Sequence, residues 1–236
     1  SLAALFTVAL ACYACSTPSL DAPPQPAHEA PLLSGPDWPQ WRGPNRDGAL
    51  ATFTAPSSWP EHLTRRWSVD VGDGYATPVL VGDRLYVFTR QGEDEVMRAL
   101  DADTGDELWH SSYPAPFSFE PAAEPHGPGP KATPTFADGK LHTLGLGGVV
   151  TAFDAETGDQ IWQVAEPTVA PLYGTAVSPL VDQGLVTVHV GGQDRGALTA
   201  FDANTGAVRW AWAEDGPSYA SPLVAELNET RQVITL

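Results

Sequence analysis

Three aspartates, Asp101, Asp154 and Asp202, are the residues of this 236-residue chain whose type and even spacing first invite a chemical reading. Carboxylates can cage a metal ion or pass a proton to and from a substrate. Each, however, stands in the same sentence: Ala99-Leu-Asp-Ala-Asp-Thr-Gly-Asp-Glu-Leu-Trp109, Ala152-Phe-Asp-Ala-Glu-Thr-Gly-Asp-Gln-Ile-Trp162 and Ala200-Phe-Asp-Ala-Asn-Thr-Gly-Ala-Val-Arg-Trp210. Equivalent positions in successive units of a radial array lie at different points around the ring, so they do not converge on one ion or one bond. The pattern therefore assigns the aspartates to turns. Asp accepts backbone N–H bonds across the turn, and Gly105, Gly158 and Gly206 take its positive-φ position. Thr104, Thr157 and Thr205 complete the motif. Trp109, Trp162 and Trp210 supply a large apolar plate with one N–H to place, suited to docking one unit on the next.

The other chemistry-bearing residues are scattered. The six histidines never form a close ligand pair, and His142 and His189 fall at different places in their repeats, which argues against a shared metal. Gly145-Leu-Gly147-Gly148 lies between strands, with no helix to receive a phosphate. Ser178 and Ser221 precede prolines and mark the repeat, without the context of a nucleophile elbow. Arg42 and Arg46 sit in the opening Asp37-Trp-Pro-Gln-Trp-Arg-Gly-Pro-Asn-Arg-Asp-Gly48. That segment reads as a packed knot fastening the chain to the array, with an anionic ligand near the central channel as the alternative role for Arg42 or Arg46.

The elements that position these residues are short strands. Trp-to-Trp intervals of 42, 53 and 48 residues from Trp67 onward match the period of propeller blades, about 40–50 residues. Upstream of each repeat a hydroxyl residue and proline lead into an apolar run, at Thr77-Pro78, Thr133-Pro134, Ser178-Pro179 and Ser221-Pro222. Gly82-Asp83, Asp138-Gly139 and Gln183-Gly184 punctuate apolar stretches as hairpin turns do. Leu85 to Phe88 is apolar at successive positions, as in a strand covered on both faces. The expected fold is all-β, a β-propeller of four-stranded antiparallel blades, with about three complete blades and the start of a fourth. Closure of such an array takes about four to eight blades, so a longer protein of seven or eight is expected.

The A-x-D-x-x-T-G-x-x-x-W repeat resembles that of pyrroloquinoline-quinone (PQQ)-type β-propellers over roughly residues 60–236, and the opening motif is similar to the entry of bacterial PQQ-binding-like repeat proteins. That family spans quinoprotein dehydrogenases and cofactor-free members such as the outer-membrane assembly lipoprotein BamB. The resemblance implies the fold and leaves two functions. One is an exported, non-enzymatic binding or scaffold module at the cell envelope, with no cofactor. The other is an alcohol or sugar dehydrogenase using PQQ with calcium. The dehydrogenases' adjacent-cysteine pair is missing, since no Cys follows Cys15.

Residues 1–15 read as a signal peptide lacking its charged start, and 16–36 as a Pro-rich flexible tether. Cys12 loosely fits a lipoprotein box, and acylation there would attach the chain to a membrane. Residues 37–66 are the entry segment and 67–236 the blades. A formal charge of −17 repels polyphosphate, so nucleic acid is not an expected partner. A protein or small ligand on a propeller face is expected instead, because loops on a rigid frame carry binding. Residues 113–131, with six prolines and two phenylalanines, form an insertion that either presents such a surface or simply covers the end of a blade.

Overall fold

Runs of β-branched and aromatic residues separated by two-residue turns fold into sequential antiparallel meanders. The computed structural model describes residues 37–236 apart from 51, 119–120, 122, 166–169 and 193. The leader, the tether and Cys12 lie outside the described residues. The first sheet comprises β1 (Val79–Val81), β2 (Arg84–Gln91), β3 (Asp94–Asp101) and β4 (Glu107–Pro114) in that spatial order. The second repeats it with β5 (Thr135–Ala137), β6 (Lys140–Leu144), β7 (Val150–Asp154) and β8 (Gln160–Val164). The third has β9 (Leu180–Asp182), β10 (Leu185–Gly192), β11 (Arg195–Asp202) and β12 (Val208–Trp212), and β13 (Leu223–Leu227) with β14 (Thr230–Ile234) opens a fourth. The chain is thus an all-β array of propeller blades.

Local chemistry sets each blade's register. Asp138-Gly139 and Gln183-Gly184 place both central residues at positive φ, the geometry of a tight hairpin whose twist matches its strands. The pairing of third and fourth strands slips at the same point in every blade, between Ala99 and Leu100, Ala152 and Phe153, and Ala200 and Phe201. A bulge there increases local twist and aims the following Asp into its turn.

Packing runs from blade to blade. One face of the first sheet (Val79, Tyr86, Phe88, Met97, Ala99) meets Leu141, Phe153 and Ala155 of the second in one core cluster. Leu144, Val150, Ala152 and Trp162 of the second meet Val186, Val188 and Phe201 of the third in another. The alanines before each Asp (Ala99, Ala152, Ala200) are fully buried, where a larger side chain would separate the sheets.

Candidate functional site

The Asp-x-x-Thr-Gly turn is built the same way three times. Asp101 Oδ1 accepts from the N–H groups of Asp103 at 2.9 Å and Thr104 at 2.8 Å, and Gly105 N–H donates to the Asp101 carbonyl at 2.8 Å. Asp154 and Asp202 repeat these bonds, and Gly105, Gly158 and Gly206 have φ of 80°, 80° and 71°. Backbone donors hold Asp101 and Asp154 below the usual carboxylate range, and the Arg209 guanidinium at 2.7 Å, with the turn amides, takes Asp202 to about 2. All three carboxylates are committed to their own turns.

Those turns are also sockets. The Trp109 indole N–H donates to the Ala155 carbonyl of the next blade at 3.2 Å, and its ring lies where a Cβ on Gly158 would approach to 2.5 Å. Trp162 repeats this on Ala203 and Gly206, and Trp67 on Ala102 and Gly105. Glycine is therefore required twice over, by backbone angle and by the ring above it. Trp162 is 8 % exposed in its socket.

At the inner edge, the hydroxyl residues that precede proline link successive blades. Thr77 N–H donates to Thr133 Oγ1 at 3.2 Å, Thr133 N–H to Ser178 Oγ at 3.0 Å, and Ser178 N–H to Ser221 Oγ at 2.9 Å. The entry segment crosses the same edge. Trp38 pairs with Leu80 of β1 through two backbone bonds, and the Pro39 carbonyl accepts from Phe136 N–H in β5. Arg46 then donates to the Pro179 carbonyl at 2.9 Å, the Ser178 carbonyl at 3.2 Å and Gln40 Oε1 at 3.0 Å. Desolvation without a carboxylate partner lowers Arg46 to about 10. Arg42 is exposed, donates to the Asp47 carbonyl at 3.1 Å, and stands with Arg46 at 5.5 Å from the Trp41 ring centroid.

The connections from one blade's outer strand to the next blade's inner strand carry the third set of residues. Tyr113, the penultimate residue of β4, is buried, so the insertion begins after Pro114. Its hydroxyl donates to Glu95 Oε2 at 2.7 Å, and Leu146 N–H donates to Glu95 Oε1 at 2.6 Å. Arg90, 3.8 Å from Glu95, donates to the carbonyls of Ala115 and Pro128, tying the base of the insertion to the first blade. Burial raises the Glu95 carboxyl despite these donors. In the same connections His126 meets Tyr173 edge-on, with ring centroids 4.6 Å apart, and Tyr173 meets Tyr219 at 5.9 Å. A cavity of about 590 Å³ lies between the second and third blades, walled by Val150, Val164, Val190 and Phe201, with Asp194 and Arg195 also lining it.

Among the described residues no group of three or more His, Cys, Asp or Glu could hold a metal ion. His142 and His189 are both buried on strands. Among the described residues no helix is long and apolar enough to cross a membrane.

A family model described as "Outer membrane protein assembly factor BamB" matches residues 64–144 and, overlapping them, 93–232. The chain belongs to this family. The match runs from just before Trp67 to β14 and spans every Trp-on-turn socket described above. BamB of Yersinia pestis is 26% identical over 162 residues, 66% of this chain and 38% of that protein, so the chain spans under two fifths of that curated relative's length. Among solved structures, a europium-containing methanol dehydrogenase is 26% identical with a TM-score of 0.46, covering 64% of this chain and 26% of the other. BamB from Moraxella catarrhalis is 23% identical with a TM-score of 0.37, covering 56% and 33%. Sequence reasoning passed over the Arg90–Glu95–Tyr113 network and the tyrosines of the connections. A signal for the latter existed: Tyr75-Ala-Thr-Pro78 and Tyr219-Ala-Ser-Pro222 are one four-residue phrase with Thr and Ser exchanged.

Proposed function

We propose that this chain is part of an exported, non-enzymatic PQQ-like propeller that acts as a binding scaffold at the bacterial cell envelope. Its partner is a protein, or a small ligand, seated on a propeller face, and Cys12 is the site at which acylation attaches it to a membrane. The observation that carries this reading is the BamB family match across three whole blades, together with the Yersinia pestis relative named as an outer membrane protein assembly factor. The committed state of the three turn aspartates supports it, since a carboxylate saturated by backbone donors is a poor base.

Three measurements on the exported protein test it. Photo-crosslinking amino acids placed in the blade connections should yield one discrete covalent adduct with an envelope protein. Purified protein supplied with PQQ and calcium should show no dye-linked oxidation of alcohols or sugars above the free-quinone rate. Clear turnover would replace the scaffold reading with the dehydrogenase one. Mass spectrometry of membrane-extracted protein reads Cys12 directly: a diacylated amino terminus supports attachment, and an unmodified one downstream of Cys12 removes it.

A further inference from the structure

We infer that the connections between blades form a recognition face for a Lys- or Arg-bearing extended segment of a partner protein, an inference that rests on the scaffold reading above and names its surface. Four connections contribute, through residues 70–78, 123–131, 170–178 and 213–222. Tyr75 and Tyr219, in the first and last of these connections, are exposed. They are not isolated. The Tyr75 ring reaches Gly127, next to His126; His126 contacts Tyr173; and Tyr173 contacts Tyr219, whose hydroxyl accepts from Tyr173 N–H at 3.3 Å. The result is a chain of contacts through three tyrosines, Gly127 and His126 that crosses from the first blade's entrance to the fourth's.

The row is held from below. Tyr75 and Ala76 N–H groups both donate to the Pro130 carbonyl, at 2.8 and 3.1 Å, and Arg90 fixes the Pro128 carbonyl at 2.7 Å. Rings on a scaffold of this kind bind with little ordering cost.

Charge selects the occupant. Among the described residues of these connections five Asp or Glu are exposed, Asp70, Asp73, Glu124, Glu214 and Asp215, against a single lysine. That lysine, Lys131, occupies the place of Tyr75 and Tyr219 before its own Thr-Pro and donates to the Tyr173 carbonyl. Exposed ring faces favour ammonium and guanidinium groups through the ring quadrupole, and the field of a chain with formal charge −17 adds Coulomb attraction. An anionic lipid surface or a phosphate-bearing ligand meets like charge on this face and is repelled.

Titration of the purified full chain with a fluorescent dodecapeptide alternating Lys and Ser, and with its Glu-for-Lys counterpart, tests this. The lysine peptide should bind and weaken steeply with salt, while the glutamate peptide should not bind. Tyr75→Ala with Tyr219→Ala should weaken binding about tenfold, from two exposed cation–π contacts. Tyr75→Phe with Tyr219→Phe keeps the rings and should retain most of the affinity. Far-UV circular dichroism of each variant verifies that the blades persist. Equal binding of both peptides, an unchanged affinity in the alanine variant, or attachment to phosphatidylglycerol vesicles in place of the peptide overturns the inference. Crosslinks to an envelope protein that form from the exposed strand β12 but not from position 219 would leave the scaffold reading standing and remove this face from it.

Discussion

His142 has a place in the repeat but no partner in it. It occupies the position of Tyr86, whose hydroxyl donates to the Ala155 carbonyl at 3.1 Å, yet both His142 ring nitrogens are buried without a hydrogen bond. Burial, with Lys140 nearby, lowers its pKa to about 4 from 6.5. The imidazole is therefore neutral in the fold and takes up a proton more readily when unfolded. Its contribution is full above pH 6.5 and is lost as pH falls toward 4, on the order of 3 kcal/mol in total. His142→Tyr is expected to flatten urea-unfolding stability across that window and to gain about 1 kcal/mol at neutral pH by restoring a hydroxyl donor. Asp202 acts in a separate window. Its depressed pKa of about 2 means its contribution is present above pH 3.8 and lost as pH falls through 2. Arg209→Ala removes the largest cause, so the Asp202 carboxyl, followed by carbon-13 NMR titration, should move upward toward the ordinary aspartate value.

At the scale of the blade, stability lies in joints as much as in sheets. Ser178→Ala deletes the acceptor of the buried Thr133 N–H while leaving both strands intact, and should cost about 1–3 kcal/mol in chemical unfolding. Loss of less than a few tenths would assign that amide another acceptor. The blade was legible in sequence because its determinants are local: Asp and Gly fix the turn, two-residue hairpins fix register, and Trp recurs at a fixed distance. The socket's other half was harder to read. That Gly158 must also admit Trp109 depends on a contact between residues 49 apart. Arg90, Glu95 and Tyr113 were invisible for a related reason: each looks like an ordinary strand residue until Ala115, Pro128 and Leu146 are folded against them. Sequence assigned Arg46 either a packing role or an anion; its three protein acceptors lie on Gln40, Ser178 and Pro179, more than 130 positions away in the last two cases.

At the scale of the molecule, three devices cross from blade to blade at different radii: inner hydroxyl-to-amide bonds, face-to-face aliphatic cores, and outer Trp-on-glycine sockets. The entry segment adds a fourth tie by touching β1, β5 and the Ser178–Pro179 step before β9 in turn. Such an array behaves as coupled neighbours, each unit's stability depending on the next. A rigid frame of this kind leaves its connections free to carry partner contacts, which is where the exposed tyrosines stand. The most direct test of the coupling is native-state hydrogen exchange on Gly158→Ala, a substitution that places a Cβ at a φ of 80° and 2.5 Å from the Trp109 ring. Protection should fall together in the 154–159 turn of the second blade and in β4 of the first, while the β10–β11 ladder stays protected. Loss confined to the turn, with β4 exchanging as in the parent chain, would contradict the claim that the blades are held by tryptophan seated on the neighbouring turn.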